Sequence, residues 1–322
     1  MLASTIDKYC YITLRYLPPF HEHRITVVYS KMEQCNAIDE IKHPAVREVL
    51  RFLKVERGVE IHTDADIPGR SGMGSSSAFT VGLLHSVHAL LGRMAGKHQL
   101  AMESIHLEQE VLREAVGSQD QVLAAYGGLN YVLFEPNGEI SVRPVTISPA
   151  RLAAFSSHLM LFYTGIRRTA ANVAGTYINA IDERAKQLRF IRGLVDRGLE
   201  ILNSNGDLTG FGELLDEAWQ AKRTLSAAVS NPEVDGLYAR ARQAGAIGGK
   251  LTGAGGGGFL LLFAEPERHA AIREALSDLI NVPVNLDFTG SQIVYYGPEQ
   301  DYSAVEQTRA TQAIKPFREL TP

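Results

Sequence analysis

An α+β fold is predicted by three observations: strand-like alternation and helical periodicity both occur, they segregate into separate runs, and the runs do not alternate as βαβ units. Residues 6–16 alternate bulky β-formers and predict a strand that Pro18-Pro19 stops, with residues 24–30 as the returning strand. A polar stretch leads to a helix over 44–55 and a strand over 59–63 that ends at an acidic turn with Asp64 and Asp66. Over residues 75–91, Ala78, Val81, Leu84, Val87 and Leu91 share one stripe at helical spacing, and a second helix is predicted over 99–115. Gly127-Gly128 opens a strand pair, 129–135 and 140–145, turned at Pro136-Asn137-Gly138. The pattern changes at Ser148-Pro149, which divides the chain into expected domains 1–150 and 151–322. The second half opens on an apolar strand, 159–163, followed by helical segments over 170–203, 208–228 and 234–244. A glycine-rich strand region (248–263), a helix (269–280) and closing strands (282–296) complete the expected order.

A chain of 322 residues has ample core for one large or two ordinary domains. It is 45% hydrophobic and 21% charged, with a formal net charge of -4, so the basic excess of a nucleic-acid binder is absent. Cys10 and Cys35 are too few for a disulfide framework or a cysteine metal site and read as reduced thiols. The ten histidines show no metal-ligand spacing. No apolar run approaches the roughly 20 residues that span a bilayer, and Asp7 and Lys8 interrupt what a signal peptide would keep apolar. The expectation is a soluble cytoplasmic protein without membrane or nucleic-acid partners.

Two glycine-rich segments carry the chemistry. In Pro68-Gly69-Arg70-Ser71-Gly72-Met73-Gly74-Ser75-Ser76-Ser77, glycines let successive N–H groups converge on an anion, and serines stand at the entry to a helix whose end is partly positive. These are the features of a phosphate cradle, with a serine hydroxyl in reach of a magnesium ion. Ser75 stands where a Walker A loop needs lysine. A glycine-serine turn that merely caps a helix is the alternative. The second segment, residues 248–258, contains G-x-G-x-x-G at Gly253, Gly255 and Gly258, but a strand follows where a dinucleotide site needs a helix. Its glycines imply either close backbone approach to a ligand or tight hairpin packing.

Together, in this order and separation, the segments resemble the second and third motifs of the GHMP kinases: P-x-x-x-G-L-G-S-S-A/S, with Met73 replacing leucine, and Lys250-Leu251-Thr252-Gly253-Ala254-Gly255-Gly256-Gly257-Gly258. The resemblance implies a ribosomal-protein-S5-domain-2-like N-terminal ATP-binding domain and a ferredoxin-like C-terminal domain. It implies ATP over Gly69, Arg70, Ser71, Gly72, Met73, Gly74, Ser75, Ser76 and Ser77, with Gly253, Gly255 and Gly256 shaping the site. Within the family, residues 6–11, 65–77, 117–121, 163–167 and 288–291 are most similar to the bacterial D-glycero-D-manno-heptose 7-phosphate kinases. That implies ATP and a sugar phosphate as small-molecule substrates, a homodimer among the possible assemblies, and transfer to the anomeric O1.

Glu108 falls on the apolar stripe of the 99–115 helix, where a carboxylate is costly unless it is paired or binds metal. Its twelve-residue lead over Asp120 is similar to the family's spacing between magnesium glutamate and catalytic aspartate. The resemblance therefore assigns Glu108, with Ser75 or Ser76, to Mg²⁺, a buried salt bridge being the alternative for Glu108. Asp120, expected in a loop, becomes the general base at the sugar hydroxyl, or else an Asx-type turn residue. Arg167, Thr164, Gly165 and Gly255 join Asp120 in the expected substrate site, with the Arg167 fork suited to a sugar phosphate and a plain surface arginine as the alternative. Lys222 and Arg223, before Thr224 and Leu225, are further candidates to face the cleft but are assigned no role.

The family's first motif lies upstream of the Ile6-Asp7-Lys8-Tyr9-Cys10-Tyr11 strand and is not found. The expectation is an N-terminally shortened chain whose 6–16 strand has an unpaired edge. Another GHMP sugar kinase of fucose or galactose type, or a non-catalytic nucleotide- or sugar-binding regulator, are the competing functional readings.

Overall fold

A computed structural model describes residues 1–69, 71–166, 184–298 and 302–311. The expected single strand over 6–16 is two strands, β1 (Leu2–Ile6) and β2 (Cys10–Tyr16), which enter different sheets. The break is built by Asp7, whose carboxylate accepts the Lys8 ammonium (2.8 Å) and the backbone and side-chain N–H groups of Asn285 (3.0 and 2.8 Å). Alternation continues on both sides of the corner, so periodicity alone does not reveal it.

The next elements are β3 (Ile25–Val28), β4 (Met32–Cys35), α1 (Pro44–Phe52) and β5 (Val59–Ala65). The strand order is β2-β5-β3-β4. The 25–28 strand is thus not the returning partner of the first: β3 pairs antiparallel with β4 and parallel with β5, with α1 in the crossover. The polar stretch that concealed β4 alternates exposed and half-buried residues. Edge strand β2 pairs with β5 on one side, and β1 is paired on both sides, as described below.

Helix α2 (Ser75–Leu90) packs Val81, Leu84 and Val87 into a core with Val27, Val49, Leu50, Val59 and Ile61. The helix expected over 99–115 stops early: α3 (Lys97–His106) passes into a π-helical turn at Leu107–Val111, and a separate helix, α4 (Gln119–Tyr126), follows. Single π-turns are frequent at functional sites, and this one holds the carboxylate of Glu108.

Strands β6 (Leu129–Phe134) and β7 (Ile140–Pro144) form the expected hairpin. Ser148-Pro149 proves to be a helix start: Ser148 Oγ accepts the Arg151 N–H (3.2 Å) and Pro149 opens α5 (Pro149–Ser157). After β8 (Leu159–Tyr163) come α6 (Ala185–Asn203), α7 (Thr209–Arg223) and α8 (Pro232–Gln243). The rest comprises β9 (Gly248–Leu251), β10 (Phe259–Phe263), α9 (His269–Ala275), β11 (Ile280–Val282), β12 (Leu286–Asp287) and α10 (Ser303–Thr311). The closing strands are far shorter than the expected 282–296; Val294, Tyr295 and Tyr296 lie exposed outside any strand.

The second sheet has the order β11-β8-β10-β9, and its core joins Phe162, Leu260 and Leu262 to Trp219 of α7 and Val234, Leu237 and Tyr238 of α8. The third has the order β12-β1-β6-β7, so a strand far on in the sequence completes a sheet begun by β1. No helix among the described residues is long and apolar enough to cross a membrane.

Candidate active site

The two glycine-rich loops, 71–77 and 252–258, dock on each other. A Cβ at Gly258 (φ +93°) would collide with the Ser71 carbonyl oxygen, and one at Gly253 (φ +61°) would lie 2.6 Å from the Gly72 carbonyl oxygen. Glycine is required here for both backbone angle and contact distance. The far end of the second loop is tied down by Thr164, whose N–H and hydroxyl both donate to the Gly258 carbonyl at 2.8 Å, while Gly258 N–H donates to Ile166 O (2.8 Å). Thr164 is thereby buried as a support for the loop. Gly165, beside it, adopts φ +75° with open space on its Cβ side. Gly256 N–H donates to Val229 O (2.8 Å), and Gly255 packs against the same residue.

Helix α2 begins without a side-chain cap, because its N-cap is Gly74 (φ 71°, ψ 19°), not a serine. The serines expected to cap it are its first helical residues. Their N–H groups have no capping side chain, and such a terminus favours an anion. Gly69 is exposed, Ser71 is buried with its hydroxyl unpartnered, and Gly72, Met73 and Ser75 are half-buried. Arg70 and Arg167 lie outside the described residues.

Asp120 sits in the first turn of α4, not in a loop, against Gly74: a Cβ there would be 3.1 Å from the Asp120 Cβ and Cγ. Burial pushes its carboxyl above the usual range, opposed by a hydrogen bond from Gln119 and by the charge of Lys222. Glu108 is only 1% exposed, and the hydroxyl beside it belongs to Ser77, not Ser75 or Ser76. Its Oε2 accepts from Ser77 Oγ (2.9 Å) and Gln121 Nε2 (2.5 Å), whereas its Oε1 is buried without a hydrogen-bond partner. No basic side chain among the described residues pairs with it, so the salt-bridge alternative is not what the fold builds. Burial raises this carboxyl too, with hydrogen bonds from Ser77, Thr80 and Gln121 pulling the other way.

Sequence reasoning left Lys222, a candidate to face the cleft, and Lys250, in the third motif, without a role. The last turn of α7 brings Lys222 to the second loop, where Nζ donates to the Gly253 carbonyl. Burial, then the like charge of Lys250, depress its ammonium to about 7 against the opposing pull of Asp120. Arg223 turns away to Asp235 (2.7 Å). The signal for Lys222 was its place one residue from the end of an amphipathic helix; which loop that end meets is a tertiary fact. A cavity of about 610 Å³ between α5 and residues 281–288 shares no residue with either loop.

Two family models match this chain: the GHMP kinases N terminal domain over residues 40–128 and GHMP kinases C terminal over residues 199–281. The chain belongs to the GHMP kinase family. It is a phosphotransferase with an alcohol group as acceptor, and GHMP kinases use ATP as donor. Among curated GHMP kinases it is 28% identical to the D-glycero-alpha-D-manno-heptose 7-phosphate kinase of Campylobacter jejuni, over 74% of this chain and 71% of that protein. It is 27% identical to the L-fucokinase/L-fucose-1-P guanylyltransferase of Bacteroides fragilis, over 75% of this chain but only 26% of that longer protein. The crystal structure of a D-glycero-D-manno-heptose 1-phosphate kinase from Bacteroides thetaiotaomicron superposes with a TM-score of 0.71, covering 92% of this chain and 90% of that one at 21% identity; it establishes the shared fold.

Proposed function

We propose that this GHMP kinase transfers the γ-phosphoryl group of ATP to O1 of D-glycero-D-manno-heptose 7-phosphate, giving the 1,7-bisphosphate and ADP. The observation that carries the reading is Asp120 held against Gly74 at the uncapped start of α2. A carboxylate and an anion-binding helix end thus meet at one point, as in-line phosphoryl transfer requires. As the new O–P bond forms, Asp120 takes the hydroxyl proton, and the bond to the ADP oxygen breaks. Burial raises the proton affinity of Asp120, the direction that a general base needs. The heptose phosphate is the substrate named for the Campylobacter relative, and identity to it extends across most of both chains.

A magnesium ion fits the donor set. Glu108 offers an unpartnered buried oxygen beside the Ser77 hydroxyl, both hard ligands, and magnesium in kinases is held by one or two carboxylates plus phosphates. Bound there, the ion would supply neutralisation of phosphate charge; Glu108 and Ser77 would hold it, with Ser75 or Ser76 at the same helix start as a further hydroxyl. In this reading the domain division lies near residue 150 and the enzyme works in the cytoplasm, where ATP and sugar phosphates meet. A fucose-type sugar acceptor is the second reading, favoured by the fucokinase relative.

The test is ADP release with ATP and a panel of heptose 7-phosphate, unphosphorylated heptose, L-fucose and D-galactose. Turnover that depends on the distal phosphate is expected. Equal or better turnover of the unphosphorylated sugars would overturn the heptose phosphate and leave the second reading.

A further inference from the structure

Two lysines without an assigned role stand at the docked glycine loops, Lys250 as the first residue of the third-motif segment. Lys222 reaches the second loop from α7, while Lys250 stands in β9 immediately before that loop. Their charges sense each other, and Lys222 also senses Asp120. Neither forms an ion pair among the described residues. Like charges brought together and away from water destabilise a fold unless an anion joins them.

The contacts fix where that anion would sit. Lys222 holds Gly253, Gly253 packs on Gly72, Gly74 packs on Asp120, and Asp120 lies within electrostatic reach of Lys222. These contacts tie Lys222 and both loops to the start of α2. Lys222 uses a single donor on Gly253 and keeps the others; the Lys250 ammonium has no hydrogen-bond partner among the described residues.

We infer that Lys222 and Lys250 are phosphate-binding residues, a cation pair from the C-terminal half that faces the α2 terminus across the site and grips the polyphosphate of the donor. The inference rests on the kinase reading for the identity of the donor, but its chemistry needs only a polyphosphate anion. It explains why two unpaired lysines are kept half-buried: the bound anion supplies the countercharge that the empty protein lacks. Lys222, nearest Asp120, is placed to follow the transferred phosphoryl group, whereas Lys250 is placed to hold the donor.

The experiment uses the full chain, K222M and K250M, with inorganic tripolyphosphate and ATP as separate probes in titration calorimetry. Each variant is expected to lose about tenfold or more in affinity for both probes, the loss typical of a charge-assisted hydrogen bond. Methionine keeps the volume and removes a desolvated charge, so melting temperatures should hold or rise, which separates lost binding from lost folding. A second readout is proton uptake near pH 8, where the charged groups facing Lys222 are Asp120 from α4 and Lys250 from β9. Tripolyphosphate should draw about one more proton into the wild type than into K222M. Unchanged affinity in both variants, or no tripolyphosphate binding by the wild type, overturns the inference. Lysine-dependent tripolyphosphate binding without transfer from ATP to any sugar would uphold the pair and sink the kinase substrate reading instead.

Discussion

At the residue scale, Asp120 and Glu108 are carboxyls that the fold makes harder to ionise, and burial is the leading cause for each. A carboxyl whose folded pKa is raised contributes stability that is fully present below its unfolded pKa and lost as pH rises through the folded one. At neutral pH both therefore weigh against the fold, a cost that the proposed chemistry accounts for. Asp120→Asn is expected to lower kcat by about 10²-fold or more with little change in ATP affinity. Its melting temperature should exceed the wild-type value at pH 7.5, and the difference should vanish in acid. Thermal melts at both pH values, beside steady-state kinetics, check this. Glu108→Gln should abolish the magnesium dependence of ATP binding while preserving the Ser77 and Gln121 contacts. Calorimetry with and without the metal reads it, and unchanged dependence would remove Glu108 from the ion.

At the element scale, the proposed site is the seam where two loops meet, so its weak points are backbone contacts. Gly258→Ala places a methyl group against the Ser71 carbonyl at a positive φ. The expected cost is about 2 kcal/mol or more, read from urea unfolding, together with weaker ATP binding as the loops part. Gly74→Ala acts differently. Its Cβ would press on the Asp120 carboxyl, so kcat should fall more steeply than stability. A variant equal in kcat to wild type would show that Asp120 does not depend on this packing. The π-turn at Leu107–Val111 belongs to the same scale: it holds Glu108 facing Ser77, on α2, and Gln121, on α4.

At the scale of the whole molecule, the first and last strands among the described residues, β1 and β12, pair with each other, and Asp7 pins the joint. Burial works against this carboxylate, but hydrogen bonds from Lys8 and Asn285 outweigh it and hold its pKa below the usual value. The sign is opposite to that of Asp120: the stabilisation is present above the unfolded pKa and is lost as pH falls through the folded one. Asp7→Ala should reduce stability by about 1–2 kcal/mol near neutrality and far less in strong acid, by urea unfolding at the two pH values. Sedimentation tests whether the chain forms the homodimer that the family resemblance left open.

Local chemistry made much of this protein legible. The α2 stripe, the 129–145 hairpin, the apolar 159–163 strand and both glycine segments announced themselves through periodicity and residue type, and those segments sufficed for the family resemblance. Glu108 stood out because a carboxylate on an apolar stripe needs a reason. What remained hidden depended on contacts between residues far apart in sequence. The corner at Asp7 is made by Asn285, the parallel pairing of β3 with β5 by the packing of α1, and the serine beside Glu108 by the π-turn. For Lys222 the sequence suggested a cleft but no partner, which the end of α7 supplies by meeting Gly253. Sequence by itself determined the elements, the glycine loops and the class of chemistry, because these follow from short-range sterics and periodicity. Only the tertiary structure decided which carboxylate, hydroxyl and lysines share one site, because burial and charge coupling are properties of neighbours in space.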